Sequence, residues 1–212
     1  MKRLHVNITF EEPILGTAAS NSEIHHDYIA SKAPDAKSKE EEVAAIGVDG
    51  VEEKAMTIFP KDENGNPIIW NYQIKGFFKE ACSMLQRMKG ESCAKESCAI
   101  KAYKKIIDGV IEPSGSPDGT NRKIPLIIPD GQKIGNLQRP LRGQTAQGER
   151  IALANSEMLP AGTMAEFYVI TPNAYEKAII EWLNYGRFHG ISQWRNAGFG
   201  RFSYEMLDID TF

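Results

Sequence analysis

The chain has 212 residues, of which 42% are hydrophobic and 25% charged, so it is long enough and apolar enough to bury a sizeable core. That composition excludes a chain disordered throughout, and no run approaches the ~18 apolar residues of a membrane span. The net charge of −3 is unevenly spread: residues 1–70 carry 7 basic and 13 acidic side chains, residues 71–150 carry 14 and 8, and residues 151–212 carry 4 and 7. A basic middle in an acidic chain either forms a local anion-binding face or is a solvated helix surface. The opening MKRLHVNITFEEP lacks the apolar stretch of a secretory signal, and three cysteines do not make a disulfide framework. We therefore expect a cytoplasmic protein with reduced thiols and no membrane partner.

Residues 3–10 alternate, with Leu4, Val6, Ile8 and Phe10 on one face, and predict a half-buried strand that points His5 outward. Residues 16–55 are polar and acidic, with room for short helices near 23–32 and 37–45, and read as an acidic insertion loop. Within it, His25, His26 and Asp27 are candidates for acid/base or metal chemistry. Adjacent side chains diverge in any regular element, however, and no second cluster has ligand spacing. No metal or cofactor is expected.

Asn64-Gly65 between apolar runs predicts a hairpin over 60–72. A helix should follow, its apolar stripe made by Ile74, Phe77, Phe78, Ala81, Cys82, Leu85 and Met88, with Lys75, Lys79 and Arg87 off the stripe. Cys82 reads as a core thiol; Cys93 and Cys98, without a second pair, make a poor zinc signature. A second helix is predicted over 95–108, with Ile100, Tyr103, Ile106 and Ile107 inward. Residues 112–121, EPSGSPDGTN, read as a loop, and KIPLIIP as a short edge strand.

NLQRPLRGQTAQGER, residues 136–150, has too few apolar groups to build a core and reads as a surface loop presenting Arg139, Arg142 and Arg150, whose forked donors suit phosphate. Strands are predicted at 151–155 and 164–170, separated by a Pro160-Ala161-Gly162 turn. A third helix spans 174–186, with Asn173 and Glu176 spaced as a capping box and Tyr175, Ala178, Ile179, Trp182 and Leu183 buried.

The last segment, GRFHGISQWRNAGFGRFSYEML, is the most distinctive. Gly186 and Gly190 can stop the helix, Gly198 and Gly200 flank Phe199, and a strand follows over 201–207. Arg187, Arg195 and Arg201 are interleaved with Phe188, Trp194, Phe199 and Phe202. Cations that track a backbone, rings that stack bases and glycines that let them approach are the needs of a single-stranded nucleic-acid surface. A glycine turn over core aromatics reads equally well. It is not a dinucleotide fingerprint, because the glycines precede a strand rather than open a helix. The element order predicts an α+β chain with a ferredoxin-like, modified RNA-recognition-motif core, helices lying on one face of an antiparallel sheet.

Three segments, in order, resemble the RAMP superfamily, the backbone subunits of CRISPR effector complexes, and its type III form in particular. PKDENGNPIIWNYQIKGFFKEAC resembles the family's turn and strand leading into a Lys-Gly-started helix. SEMLPAGTMAEFYVI resembles its Pro-Ala-Gly-Thr turn and next strand. GISQWRNAGFGRFSYEML resembles its glycine-rich loop, and ITFEEPILGT fits the first strand. The resemblance implies one RAMP-like domain over 1–212, with 16–55 inserted, that binds a guide-RNA backbone and assembles side by side with other subunits. It places Lys75 at the start of the nucleic-acid-facing helix and Arg195, Gly198, Gly200 and Arg201 in the glycine-rich loop. Gln193, Trp194 and Phe199 complete that loop's candidates, and composition adds Arg139 and Arg142. Type III backbone subunits often cut RNA with an aspartate of the first long loop; here Asp27, Asp35 and Asp49 are the counterparts, none in a clear motif.

The reading these observations favour is a non-catalytic protein that binds single-stranded RNA rather than DNA. One alternative is a protein-interaction module, a mimic or inhibitor of a host CRISPR-type complex carried by a phage or mobile element. The other is an endoribonuclease working from the first loop.

Overall fold

Strict alternation builds the first strand: β1 (Lys2–Phe10) turns Leu4, Val6, Ile8 and Phe10 fully inward and leaves His5 on the open side. The computed structural model describes residues 1–19, 56–145 and 148–212, with the side chains of 140–153 outside that description. His25, His26, Asp27, Asp35 and Asp49, and nearly all of the acidic insertion, lie outside the described residues. The further strands are β2 (Ile14–Leu15), β3 (Ala18–Ala19), β4 (Met56–Ile58), β5 (Ile68–Trp70), β6 (Glu112–Ser114), β7 (Lys123–Pro125), β8 (Gly135–Thr145), β9 (Gly148–Leu159), β10 (Met164–Thr171) and β11 (Phe202–Thr211). The α-helices are α1 (Asn71–Leu85), α2 (Lys95–Ala99), α3 (Tyr103–Val110) and α4 (Glu176–His189).

The architecture is α+β. A four-stranded sheet has the order β11-β1-β10-β6, and every neighbouring pair is antiparallel. Its strands enter along the chain as strand, helix, strand, then strand, helix, strand. Helices α1 and α4 supply the apolar stripes that cover one face, and Phe78 and Trp182 lie tilted against each other at 5.2 Å in the core. Each such fully buried side chain contributes about 1.5–3 kcal/mol. Gly186 lets α4 press onto the sheet: a Cβ there would stand 2.2 Å from Phe202 Cζ and 2.8 Å from Phe77 Cζ. A second sheet runs β2-β9-β4-β3, with β8 paired to β9, and β5 pairs with β7 apart from both.

The structure corrects several expectations. Residues 112–121 are not all loop, because Glu112–Ser114 form the edge strand β6 against Tyr168–Ile170. Residues 136–150 are not a surface loop either. Strand β8 pairs with β9 from Gly135↔Met158 to Thr145↔Gly148, so this arm satisfies its backbone across the ladder and needs no apolar core. The predicted 95–108 helix is two helices, broken where Ala102 takes φ 51°. The Gln86 side-chain amide caps that break by donating to the carbonyls of Ser97 (3.0 Å) and Ile100 (2.8 Å). Met88 falls beyond α1 and is 42% exposed.

The Asn64-Gly65 turn forms, held by Asp62, whose carboxylate accepts the Asn64 and Asn66 N–H groups. Its flanks pair as a short hairpin, with Lys61 bridged antiparallel to Pro67 and the Ile68 N–H donating to Pro60 O at 2.8 Å, before β5 pairs with β7. Asn173 and Glu176 make no capping box, because a 3₁₀ turn at Asn173–Tyr175 precedes α4. At the start of α1 instead, Gln73 Oε1 accepts the Trp70 N–H at 2.8 Å.

Candidate nucleic-acid interface

Glycines shape the loop that joins α4 to β11. Gly190 ends the helix at φ 74°, its N–H donating to Gly186 O. The chain then folds back so that the Ile191 N–H donates to Gly200 O at 3.0 Å and the Gly200 N–H to Pro13 O at 2.9 Å. Gly200 has φ +71°, and a Cβ there would stand 2.0 Å from Ile191 O, so no other residue fits. Gln193 ties the loop to the β2–β3 link by donating to Gly16 O at 2.7 Å, and the Ser192 hydroxyl donates to Leu15 O. Gln193 is thus a fastening of the loop.

Trp194 stands on this frame at φ 54°, with 38% of its surface exposed. Its ring stacks on Phe199 at 5.0 Å with an interplanar angle of 15°. From the arm, Arg139 on β8 lays its guanidinium over the Trp194 ring with Cζ 4.0 Å from the centroid. Arg139 Nε is buried there and has no hydrogen-bond partner among the described residues. Residues 139, 194 and 199 thus form one cation–aromatic stack assembled from two separate parts of the fold.

Three other candidate cations, Arg195, Arg201 and Lys75, are balanced by carboxylates. Arg195 pairs with Glu80 of α1, and His189 Nε2 lies 3.6 Å from the same carboxyl. Arg201 Nη2 donates to Glu12 at 2.9 Å, while its Nε stays unpartnered. Lys75 sits on the side of α1 facing α3 and β6, at 2.5 Å from Glu112, apart from the stack. Arg142 lies three residues farther along β8, paired in register with Ile151, and its side chain is outside the described residues, as is that of Arg150. Gly198 and Gly200 hold the loop's backbone turns.

Of the interleaved aromatics, Phe202 belongs to the core and Phe188 is 81% exposed. The segment is therefore core at Phe202 and surface at Phe188 and Trp194. Glu80, Glu12 and Glu112 were missed as counter-charges, since no local signal links Glu80 to an arginine 115 residues away.

Beside the loop lies a cleft of ≈ 410 Å³ lined by Phe59, Tyr72, Phe77, Glu80, Ile191 and Arg195. The Tyr185 hydroxyl is buried nearby without a partner. Burial and the Glu80 carboxylate hold it above the ordinary phenol range, against the opposing pull of Arg195. Among the described residues no group of three or more His, Cys, Asp or Glu side chains could hold a metal ion. No helix among them is long and apolar enough to cross a membrane.

The geometry defines an α+β protein with a cation–aromatic stack at a glycine-built loop. No protein-family model and no curated protein matches the chain. Among solved structures it is similar to a chain in the cryo-EM structure of the type III-B Cmr-beta bound to cognate target RNA, at 12% identity and a TM-score of 0.48, over 99% of this chain and 60% of that one. It is also similar to a chain of a type IV-B CRISPR complex, at 13% identity and a TM-score of 0.45, over 96% and 89% of the two chains. The chain thus spans 60% of the length of the first of these.

Proposed function

We propose that this chain is a non-catalytic, single-stranded nucleic-acid-binding protein of RAMP-like type. It takes RNA rather than DNA and works beside other subunits or copies of itself in a nucleoprotein complex. The observation that carries the reading is the stack of Arg139, Trp194 and Phe199, which joins a guanidinium with no carboxylate partner among the described residues to two parallel rings on a half-exposed loop. A base added to such a stack gains about 1–3 kcal/mol whatever its identity, and the Arg139 charge favours a phosphate beside it. Arg195 and Arg201 reach phosphate only by giving up Glu80 and Glu12, so they contribute less.

The order β11-β1-β10-β6, with two helices on one face, supports the ferredoxin-like core expected of that type. The uncovered face of this sheet is not the RNA track. By register it carries Glu166, Glu205, Asp208 and Asp210 beside Arg3 and His5, and the Arg3 charge is already spent on Asp210.

The test is fluorescence anisotropy with labelled oligouridylate and oligothymidylate at about 50 and about 200 mM salt. Salt-sensitive binding, tighter for the RNA, is expected. Arg139→Ala and Trp194→Ala should each weaken it by about tenfold, in line with a stacking contribution of ~1–3 kcal/mol. Absence of binding at the lower salt, or affinity unchanged in both variants, overturns the reading.

A further inference from the structure

Between the end of α1 and the body of α3 the chain carries six cations, Arg87, Lys89, Lys95, Lys101, Lys104 and Lys105, and all six are exposed. None of them is in an ion pair among the described residues. By contrast Lys2, Lys61, Lys75, Lys79 and Lys123 all sit on carboxylates.

The carboxylates that could neutralise this end are used elsewhere. Asp108, four residues after Lys104 and well placed for a helical pair, is held by Lys79. Glu181 turns both oxygens to α2, accepting the N–H groups of Glu96 and Ser97 at 2.8 Å each and the Ser97 hydroxyl at 2.7 Å. Glu91 and Glu96 remain, against six positive charges.

The positions are rigid as well as charged. Gln86 clamps the Ser97 and Ile100 carbonyls, and Trp182 Nε1 donates to Ser97 Oγ from the core at 3.1 Å. An open groove of ≈ 500 Å³ runs here between Gln86, Lys89, Cys98, Ile100, Lys101 and Tyr103, so two unbalanced ammonium groups border one channel.

We infer that this groove and the lysines of the α2–α3 end form a second binding surface, for the phosphodiester backbone of single-stranded nucleic acid. The inference rests on the nucleic-acid reading above and adds a surface that reading does not use. Lysine presents a compact charge without the fork of arginine, so the surface neutralises phosphates and reads no sequence. A set of cations without ion-pair partners among the described residues keeps its full charge for a ligand, whereas the paired cations of the loop must first exchange partners.

The test compares wild type with a Lys101→Gln, Lys104→Gln, Lys105→Gln variant in oligouridylate titrations at two salt concentrations. Circular dichroism checks that the variant folds. Affinity at low salt should fall about tenfold or more, and the slope of log K against log salt should flatten by about two, since each single-strand phosphate contact contributes ~0.7. Lys133→Gln with Lys177→Gln, which removes exposed cations elsewhere, should leave affinity within about twofold.

A second readout does not depend on the triple variant folding. Cys98 is free, exposed and lines the groove, so in a Cys93→Ser protein oligouridylate should protect it from iodoacetamide. A triple variant with wild-type affinity and slope, or no protection of Cys98 at saturation, overturns the inference. If Arg139→Ala still weakens binding in that case, the function proposed above stands without it. Displacement of the RNA by polyglutamate as readily as by polyuridylate would make this a surface for acidic protein, and also overturns it. A wild-type protein that binds no oligonucleotide removes both proposals together.

Discussion

Two basic regions of this molecule look alike in the sequence and differ in what balances them. In the glycine-rich loop Arg195 and Arg201 each hold a carboxylate, and Lys75, apart from the loop, holds Glu112. At the α2–α3 end six cations have no carboxylate partner among the described residues. The loop's cations serve first to fasten the loop to α1 and to the turn after β1. The helical end is fastened by other means: amide, carboxylate and indole contacts made by Gln86, Glu181 and Trp182. Charge counted along a chain is therefore not charge available to a ligand. Arg139 is the informative exception, since it lies at the loop but is balanced by a ring rather than an acid.

The largest effect that sharpens this contrast is expected at Gly200. An alanine there meets Ile191 O at 2.0 Å and needs φ +71°, so Gly200→Ala should cost about 3 kcal/mol in urea unfolding. It should also weaken RNA binding through loss of the stack while leaving Cys98 reactivity in the native state unchanged. A loss under about 1 kcal/mol would mean that the loop is not built as described.

A second test concerns the anchor under the unpaired end. Burial, with the Glu181 charge as a lesser cause, pushes the Cys82 thiol up from its ordinary value to about 11. Because the folded-state value is raised, the stabilisation is complete below the unfolded value near 9 and is lost as pH rises toward 11. Unfolding free energy should fall by about 2 kcal/mol over that window, and less in Cys82→Ala. Equal pH profiles for the two proteins would mean that the place where α1 meets α2 is open to water.

The smallest effect is expected at Glu80. Glu80→Gln should cost only about 0.5–1 kcal/mol, because the pair it breaks is partly exposed. It should raise affinity for oligouridylate about threefold by releasing Arg195 and His189. A fall in affinity would show that Arg195 binds RNA only when Glu80 orients it.

Elements that announce themselves locally were legible. The alternation of β1, the stripe of α1 and the apolar face of α4 each depend on residues within one element, and the structure buries them as expected except Met88, which is exposed, and Tyr175, which is half-buried. Gly190, Gly198 and Gly200 were legible for the same reason, since positive φ is a property of one residue. Strand β6 was not, because Pro113 and Ser114 are buried only by the neighbour that pairs with them. The break at Ala102 has no glycine or proline to signal it, and the amide that holds it open comes from Gln86 on another helix. Of the candidate site, Trp194 and Phe199 were readable as rings interleaved with arginines and glycines, with core and surface placements equally open. Their union with Arg139 was not readable, because it depends on where the arm docks.

What the sequence by itself determined is the class of protein and the inventory of its chemistry: an α+β chain with a buried thiol at Cys82, a glycine-built turn before the last strand, and arginines mixed with aromatics around it. Period, composition and backbone freedom are short-range properties, and short-range properties can be read along a chain. Only the tertiary structure decided which cations are spent and which are free. An ion pair such as Arg195 with Glu80, or a stack such as Arg139 on Trp194, joins residues far apart in the chain, and Coulomb and dispersion forces act over distance in space rather than over position in sequence.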